Sequence, residues 1–194
     1  MGARCRYCGR QISARYPLVE ALTAAVFVVA AAEFNWTFAF AAACILGMVL
    51  VTIAFIDLEH LLVLDVTTIT GAVLGVALAL AMHRIVDALE GAACAGAILG
   101  AIYLLTRGAG MGLGDVKLAA MIGLFIGYPL ALWTTAASFI IGALLIVPVL
   151  ATRSRGRRDA LPFGPFLVIA ALLATFAPLV LAAPYDAYRA LFNG

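Results

Sequence analysis

Residues 38–56 read FAFAAACILGMVLVTIAFI, a run of nineteen residues without a charged side chain. A helix that spans a membrane needs about 20 mainly apolar residues, so this run predicts a transmembrane helix. The whole chain agrees with that interpretation, because it is 66% hydrophobic and 11% charged, with a mean hydropathy of +1.15. Soluble domains are about 25% charged. We therefore expect one helical membrane domain rather than a series of soluble domains.

Apolar runs on both sides of this segment predict an all-α, polytopic transmembrane helix bundle with about seven membrane segments. They cover 17–32, 38–56, 66–82, 88–106, 117–128, 130–151 and 162–182. The fifth run is short and Pro129 separates it from the sixth, so these two are either a tight antiparallel pair or one kinked element. Residues 1–16 are expected to form a cytoplasmic N-terminal segment, and residues 17–194 the transmembrane domain.

Two pairs of glycines have the GxxxG spacing that lets helices approach closely in a membrane. They are Gly71 with Gly75 and Gly96 with Gly100. An alanine- and glycine-rich composition explains any single pair equally well.

Basic residues predict the orientation, because loops on the cytoplasmic side carry the excess of Lys and Arg. With the segments above, the opposite side receives only Arg84 and Arg189. The first side carries ten basic residues: Arg4, Arg6, Arg10, Arg15, Arg107, Lys117, Arg153, Arg155, Arg157 and Arg158. That side is therefore predicted to be cytoplasmic, together with the loops at 57–65, 107–116 and 152–161.

Two aspartates lie where the predicted helices meet the cytoplasmic boundary. Asp57 directly follows the uncharged run, and Asp115 precedes the fifth segment. Ionisable groups at membrane depth are costly and usually functional, and a bundle can bring these two together. Each alone has an ordinary explanation, as a charge at a helix end for Asp57 and as an N-cap for Asp115.

The glycines before Asp115 favour a functional interpretation. Gly110, Gly112 and Gly114 alternate directly ahead of it, and such a loop can bend sharply and admit a second backbone. Two carboxyl groups that share a site do not both ionise easily, so they titrate as one acid and one base. That pair can activate water for peptide hydrolysis without a metal or another cofactor. A proton- or ion-coupled transporter is the alternative, and it would place acidic groups near the bilayer midplane.

Four stretches resemble one protein family. Residues 112–115 with Lys117 resemble the GxGD signature of intramembrane aspartic proteases, and residues 110–118 (GMGLGDVKL) resemble bacterial type IV prepilin leader peptidases. Residues 5–20 (CRYCGRQISARYPLVE), 55–65 (FIDLEHLLVLD) and 162–167 (PFGPFL) resemble three further stretches of that family, in the same order.

The resemblance implies that Asp57 and Asp115 are the catalytic pair of a multi-pass protein of the bacterial inner membrane, with the active site facing the cytoplasm. Gly112, Gly114, Lys117 and Asp65 would bind substrate or support the site. The partners would be a prepilin or pseudopilin precursor and the lipid bilayer, with no nucleic acid. S-adenosylmethionine would be needed only if methylation is retained. A non-catalytic assembly factor for pili or secretion is a further alternative.

The sequence departs from the family in two places. Family members have two CxxC pairs where this sequence has only Cys5 and Cys8, which would be an incomplete zinc site because structural zinc normally takes four ligands. Leu64 stands where the family usually has proline. Asp65 follows it and is expected to have a supporting role, for example as the cap of a helix that begins near Val66.

Three other residues or short stretches have two interpretations each. Glu20 is either functional or paired with Arg15. Lys117 either contacts substrate or tunes the aspartates, or is an ordinary cytoplasmic cation. Residues 163–165 form either a re-entrant bend near the active site, which we favour, or the start of the last helix.

Overall fold

The computed structural model describes residues 7–9, 13–109, 111–151, 162–178 and 180. All regular secondary structure in this part of the chain is helical, which confirms the all-α prediction. The seven helices are α1 (Arg15–Phe34), α2 (Phe38–His60), α3 (Asp65–Ala81), α4 (Ile85–Leu105), α5 (Leu113–Ile126), α6 (Leu130–Ala151) and α7 (Gly164–Phe176).

Three of these helices are long and apolar enough to cross a membrane: α1, α2 and α4. Helices α3 and α7 and residues Leu130–Leu145 of α6 are apolar but shorter. The expected helical segments are thus present. How many of them cross the membrane stays a prediction. Helices α5 and α6 are separate elements joined at residues 127–129, so the alternative of one kinked helix is wrong.

Helix α5 forms the centre of the bundle. It packs most extensively against α4 and also contacts α2, α3, α6 and α7. Although it has only 14 residues, most of its side chains are buried, and a helix that is apolar on all sides is expected in a core position. The core around it includes Leu50, Leu99, Leu118, Ile122 and Leu167.

Glycines allow α3 and α4 to approach α5 closely. A Cβ atom at Gly71 would overlap the Met121 side chain, and one at Gly75 would lie 3.0 Å from Phe125. On α4, a Cβ at Gly96 would lie 3.3 Å from that of Ala120. Both predicted glycine pairs therefore face α5, with Gly100 opposite Val116, which confirms close helix approach.

A further glycine contact joins α4 and α5 at their backbones. A Cβ at Gly91 would lie 2.6 Å from the Gly123 carbonyl oxygen, and one at Gly123 only 2.5 Å from the Gly91 carbonyl. The two helices touch here without intervening side chains.

An arginine side chain connects helix ends at each end of the bundle. Arg15 at the start of α1 pairs with Glu59 in the last turn of α2, so the expected pairing with Glu20 is wrong. At the opposite end, Arg84 Nη2 donates to the Phe125 carbonyl over 2.6 Å. The end that contains Glu59 also contains the two aspartates of interest.

Candidate active site

Asp57 lies inside the last turn of α2 rather than in the following loop. The helix continues four residues past the uncharged run and ends at His60, where Leu61 adopts a left-handed conformation (φ 52°) and donates its N–H to the Asp57 carbonyl over 2.9 Å. The Asp57 side chain is only 4% exposed. Its Oδ2 atom is buried and accepts no hydrogen bond within the described part of the chain. A buried carboxyl oxygen without a hydrogen-bond partner is unusual in a folded protein and is typical of a functional group.

Asp115 lies in the first turn of α5, which begins four residues before the predicted segment. Gly112 is the N-cap, so the interpretation of Asp115 itself as the N-cap is wrong. The Gly112 N–H donates to Asp115 Oδ2 over 3.2 Å, and the Asp115 N–H donates to the Gly112 carbonyl over 3.2 Å. These two bonds fix a carboxyl group that is 9% exposed.

The two carboxyl groups line one cavity of about 310 Å³. Because they share this small cavity, a charge on one carboxyl group disfavours a charge on the other. The rest of the lining comes from the α2–α3 connection and the start of α5: Leu61, Leu62, Val63, Asp65, Gly112, Leu113 and Gly114. This cavity volume is at the low end of the range for ligand pockets. A cavity of this size can hold one water and a short length of peptide better than a large ligand.

Gly114 and Gly112 differ in how closely neighbouring atoms pack against them. A Cβ at Gly114 would lie 2.8 Å from the Val63 Cβ, so glycine lets the α2–α3 connection pack directly on α5. A Cβ at Gly112 would lie 3.5 Å from Asp115 Oδ2, an ordinary contact. The group that packs closely on Gly114 is therefore Val63 of the protein itself, mainly through its side chain. Gly110 lies outside the described residues.

Asp65 and Lys117 meet at the edge of the cavity. Helix α3 begins at Asp65, and its N-cap is Leu64 with no side-chain cap, so the expected capping role of Asp65 is wrong. The Asp65 carboxylate instead accepts a hydrogen bond from Lys117 Nζ over 2.7 Å. The contact joins the first turns of α3 and α5, and a substrate-binding or supporting role for both residues stays a prediction.

Gly164 belongs to the stretch 163–165 that the sequence analysis placed near the active site, and the structure places it against Asp57. Helix α7 begins at Gly164 with Phe163 as its N-cap, so the favoured re-entrant bend is wrong and the segment is a helix start. A Cβ at Gly164 would lie 2.5 Å from Asp57 Oδ2. The glycine between Phe163 and Pro165 was visible in the sequence, but its contact with Asp57 depends on the fold.

The described residues do not fit a zinc site. Cys8 is exposed, and Cys5 lies outside the described residues. Within the described ranges no three His, Cys, Asp or Glu side chains are grouped to hold a metal. We therefore derive no chemical step through a metal.

Two family models match the sequence. The type IV leader peptidase family matches residues 44–147, which include Asp57 and Asp115. The bacterial peptidase A24 N-terminal domain matches residues 1–34.

Curated relatives agree with the family match. A prepilin leader peptidase/N-methyltransferase of Aeromonas salmonicida is 37% identical over 177 residues, 88% of this chain and 61% of the relative. Proteins of the same name from Legionella pneumophila and Pseudomonas aeruginosa are each 34% identical, over 89% and 90% of this chain and 62% of each relative. The chain therefore spans about three fifths of the length of these relatives. No solved structure matches it significantly.

Proposed function

The chain belongs to the type IV leader peptidase family, and from that premise we propose that it is a membrane aspartic endopeptidase that cleaves the leader from type IV prepilins or pseudopilins. The observation that carries the proposal is the meeting of two buried carboxyl groups, from α2 and α5, in one cavity. Asp57 and Asp115 would be the catalytic pair.

The chemistry needs one proton shared between the two carboxyl groups. The ionised aspartate takes a proton from water as the water oxygen attacks the carbonyl carbon of the scissile peptide bond. The protonated aspartate donates its proton to the carbonyl oxygen. When the C–N bond breaks, the carboxyl group that took the water proton gives it to the leaving nitrogen. The other carboxylate takes a hydroxyl proton from the tetrahedral intermediate as the carbonyl re-forms, so the pair again holds one proton. Because Asp57 and Asp115 both line the cavity, either carboxyl group can accept the first proton.

The orientation in the membrane follows from the basic residues. Arg15, Arg107 and Lys117 lie at the same end of the bundle as the two aspartates, whereas Arg84 lies at the other. Under the positive-inside rule we propose that the cavity faces the cytoplasm of a multi-pass protein in the bacterial inner membrane. The cationic loop at residues 153–158 lies outside the described residues.

The proposal is limited to proteolysis. The relatives' name includes N-methyltransferase, and methyl transfer in this chain would require S-adenosylmethionine. Peptide hydrolysis by the carboxylate pair does not need that cofactor. Ion transport, the other use of membrane carboxylates, is favoured less because both aspartates lie at one end of the bundle rather than near its middle.

Cleavage of a purified prepilin by the protein in detergent or liposomes tests the proposal. Asp57→Asn and Asp115→Asn should each insert and fold but lower the cleavage rate by at least about a hundredfold, because each removes the acid–base function. Glu59→Gln is the matched control, since it neutralises a carboxylate two residues from Asp57 that does not line the cavity. Near-normal cleavage by either aspartate variant would refute the assignment.

A further inference from the structure

We propose that Gly164, the first residue of α7, is a positioning residue that holds the Asp57 carboxyl group in its catalytic orientation. The inference rests on the proposed function, because it concerns the same site. It adds a third helix to that site, since Asp57 and Asp115 come from α2 and α5 and the position of Asp57 would be set by α7.

The first argument is steric. A Cβ at position 164 would lie 2.5 Å from Asp57 Oδ2, 3.2 Å from Cγ and 3.5 Å from Cβ. Real Cβ atoms essentially never come within 3.0 Å of another heavy atom. The whole carboxyl group therefore lies against the backbone of α7, and any side chain at position 164 would push it away.

The second argument is a count of the amide donors at the start of α7. Pro165 has no N–H group, and the amides of Phe166 and Leu167 both donate to the Phe163 carbonyl, over 3.0 and 3.3 Å. The Gly164 amide is thus the donor left in this turn, and the Asp57 carboxyl group packs against this residue. Its contact does not complete a hydrogen bond of good geometry to Oδ2, which stays unpartnered. The amide can therefore orient the carboxyl group from the α7 side while Asp57 still lines the cavity.

The third argument is that nothing else described fixes the Asp57 side chain. Asp115 is held by the Gly112 N–H, whereas no side chain or amide makes a standard hydrogen bond to Asp57 Oδ2. The start of a helix also carries a partial positive charge, which attracts a carboxylate over the first turn. Steric contact with Gly164 and the partial charge at the start of α7 thus both position the Asp57 carboxyl group relative to Asp115.

Enzyme kinetics test this role. Gly164→Ala should lower kcat by about ten- to a hundredfold, because small displacements of a catalytic group have effects of that size. KM should change little, and the pH profile of kcat should shift because the surroundings of Asp57 change. Gly100→Ala is the control, since its Cβ would meet only Val116, at 3.7 Å, on the same end of the bundle; it should keep wild-type kcat and pH profile.

A thermal double-mutant cycle tests the contact without relying on activity. Gly164→Ala should lower the melting temperature when Asp57 is present and lower it much less in an Asp57→Ala background, because the shorter side chain removes the clash. The same cycle can be read from the yield of folded protein if the single variant folds poorly. Wild-type kcat in Gly164→Ala, or equal thermal effects in both backgrounds, would overturn the inference. Retained cleavage by Asp57→Asn would instead refute the proposed function, so the two failures are distinguishable.

Discussion

The Lys117 ammonium group lies 2.7 Å from Asp65 Oδ1 and joins the first turn of α5 to the first turn of α3. Asp115 lies two residues before Lys117 in that same turn, so the ion pair fixes the backbone that carries a proposed catalytic group. The side chains of Asp65 and Lys117 are 58% and 41% exposed. A pair this exposed contributes at most about 1 kcal/mol to stability.

We therefore predict that Asp65→Asn and Lys117→Met act on catalysis more than on folding. Each should lower kcat by about five- to tenfold through a less well-positioned Asp115, while the melting temperature stays close to wild type. Cleavage kinetics and thermal unfolding in the same detergent measure both effects.

The charge-reversed double variant separates pairing from other roles of these residues. Asp65→Lys combined with Lys117→Asp should recover part of the activity that either single reversal loses, because the ion pair is rebuilt. If the double variant is no better than the worse single variant, the residues do not act through each other.

Gly114 should tolerate substitution much less well than Gly112. A Cβ at Gly114 would overlap Val63 at 2.8 Å, and overpacking of this kind costs about 1–3 kcal/mol. Gly112 has φ −78° and an ordinary 3.5 Å contact, so alanine there should cost less. Thermal unfolding of Gly114→Ala and Gly112→Ala, with cleavage assays, measures the difference. Equal destabilisation would show that close packing of Val63 is not the reason for Gly114.

The glycines where α4 and α5 pack together predict a ranking of stability in the same way. Gly123→Ala should be the most destabilising, because its Cβ would lie 2.5 Å from the Gly91 backbone, which cannot move without separating the helices. Gly96→Ala should be intermediate, with a 3.3 Å contact to Ala120, and Gly100→Ala mildest, at 3.7 Å from Val116. Melting temperatures in one detergent test the order. A larger loss in Gly100→Ala than in Gly123→Ala would contradict it.

The fold class could be predicted from the sequence because the run 38–56 and the composition leave few alternatives. Helix bounds were less predictable at the site. Hydropathy marks where charged side chains begin, whereas the hydrogen-bonded backbone of α2 continues through Asp57 to His60. For the same reason α5 begins at Leu113, before its apolar run. Both aspartates are consequently held by helices rather than by loops.

Pairing between distant residues was the least predictable feature. Glu20 lies five residues after Arg15, and side chains pair along a helix at spacings of three or four, so local geometry alone disfavours that pair. The partner that Arg15 does contact, Glu59, is known only from the packing of α1 on α2. The contact of Gly164 with Asp57 likewise depends on how α7 packs against α2.

Arg84 lies at the other end of the bundle and should affect stability without affecting chemistry. Its Nη2 donates to the Phe125 carbonyl at the end of α5, and its Nε lies 3.6 Å from Asp87 Oδ2. Asp87 in turn lies against Gly127, where φ is +79° and any side chain would overlap the carboxylate. A hydrogen bond from a charged donor contributes about 1.5–3 kcal/mol. Arg84→Leu should therefore lower the melting temperature of the protein.

The kcat of the folded Arg84→Leu enzyme should nevertheless match wild type. Arg84 contacts the C-terminal end of α5, whereas Asp115 and the neighbouring Asp57 lie at the other end of the bundle. Active-site concentration must be measured with folded protein only, for example after size-exclusion chromatography below the melting temperature. Arg107→Leu, which removes an exposed cation, is the control for a general effect of charge. A reduced kcat in folded Arg84→Leu would mean that strain passes along α5 from Phe125 to Asp115, and the two ends would then have to be treated as coupled.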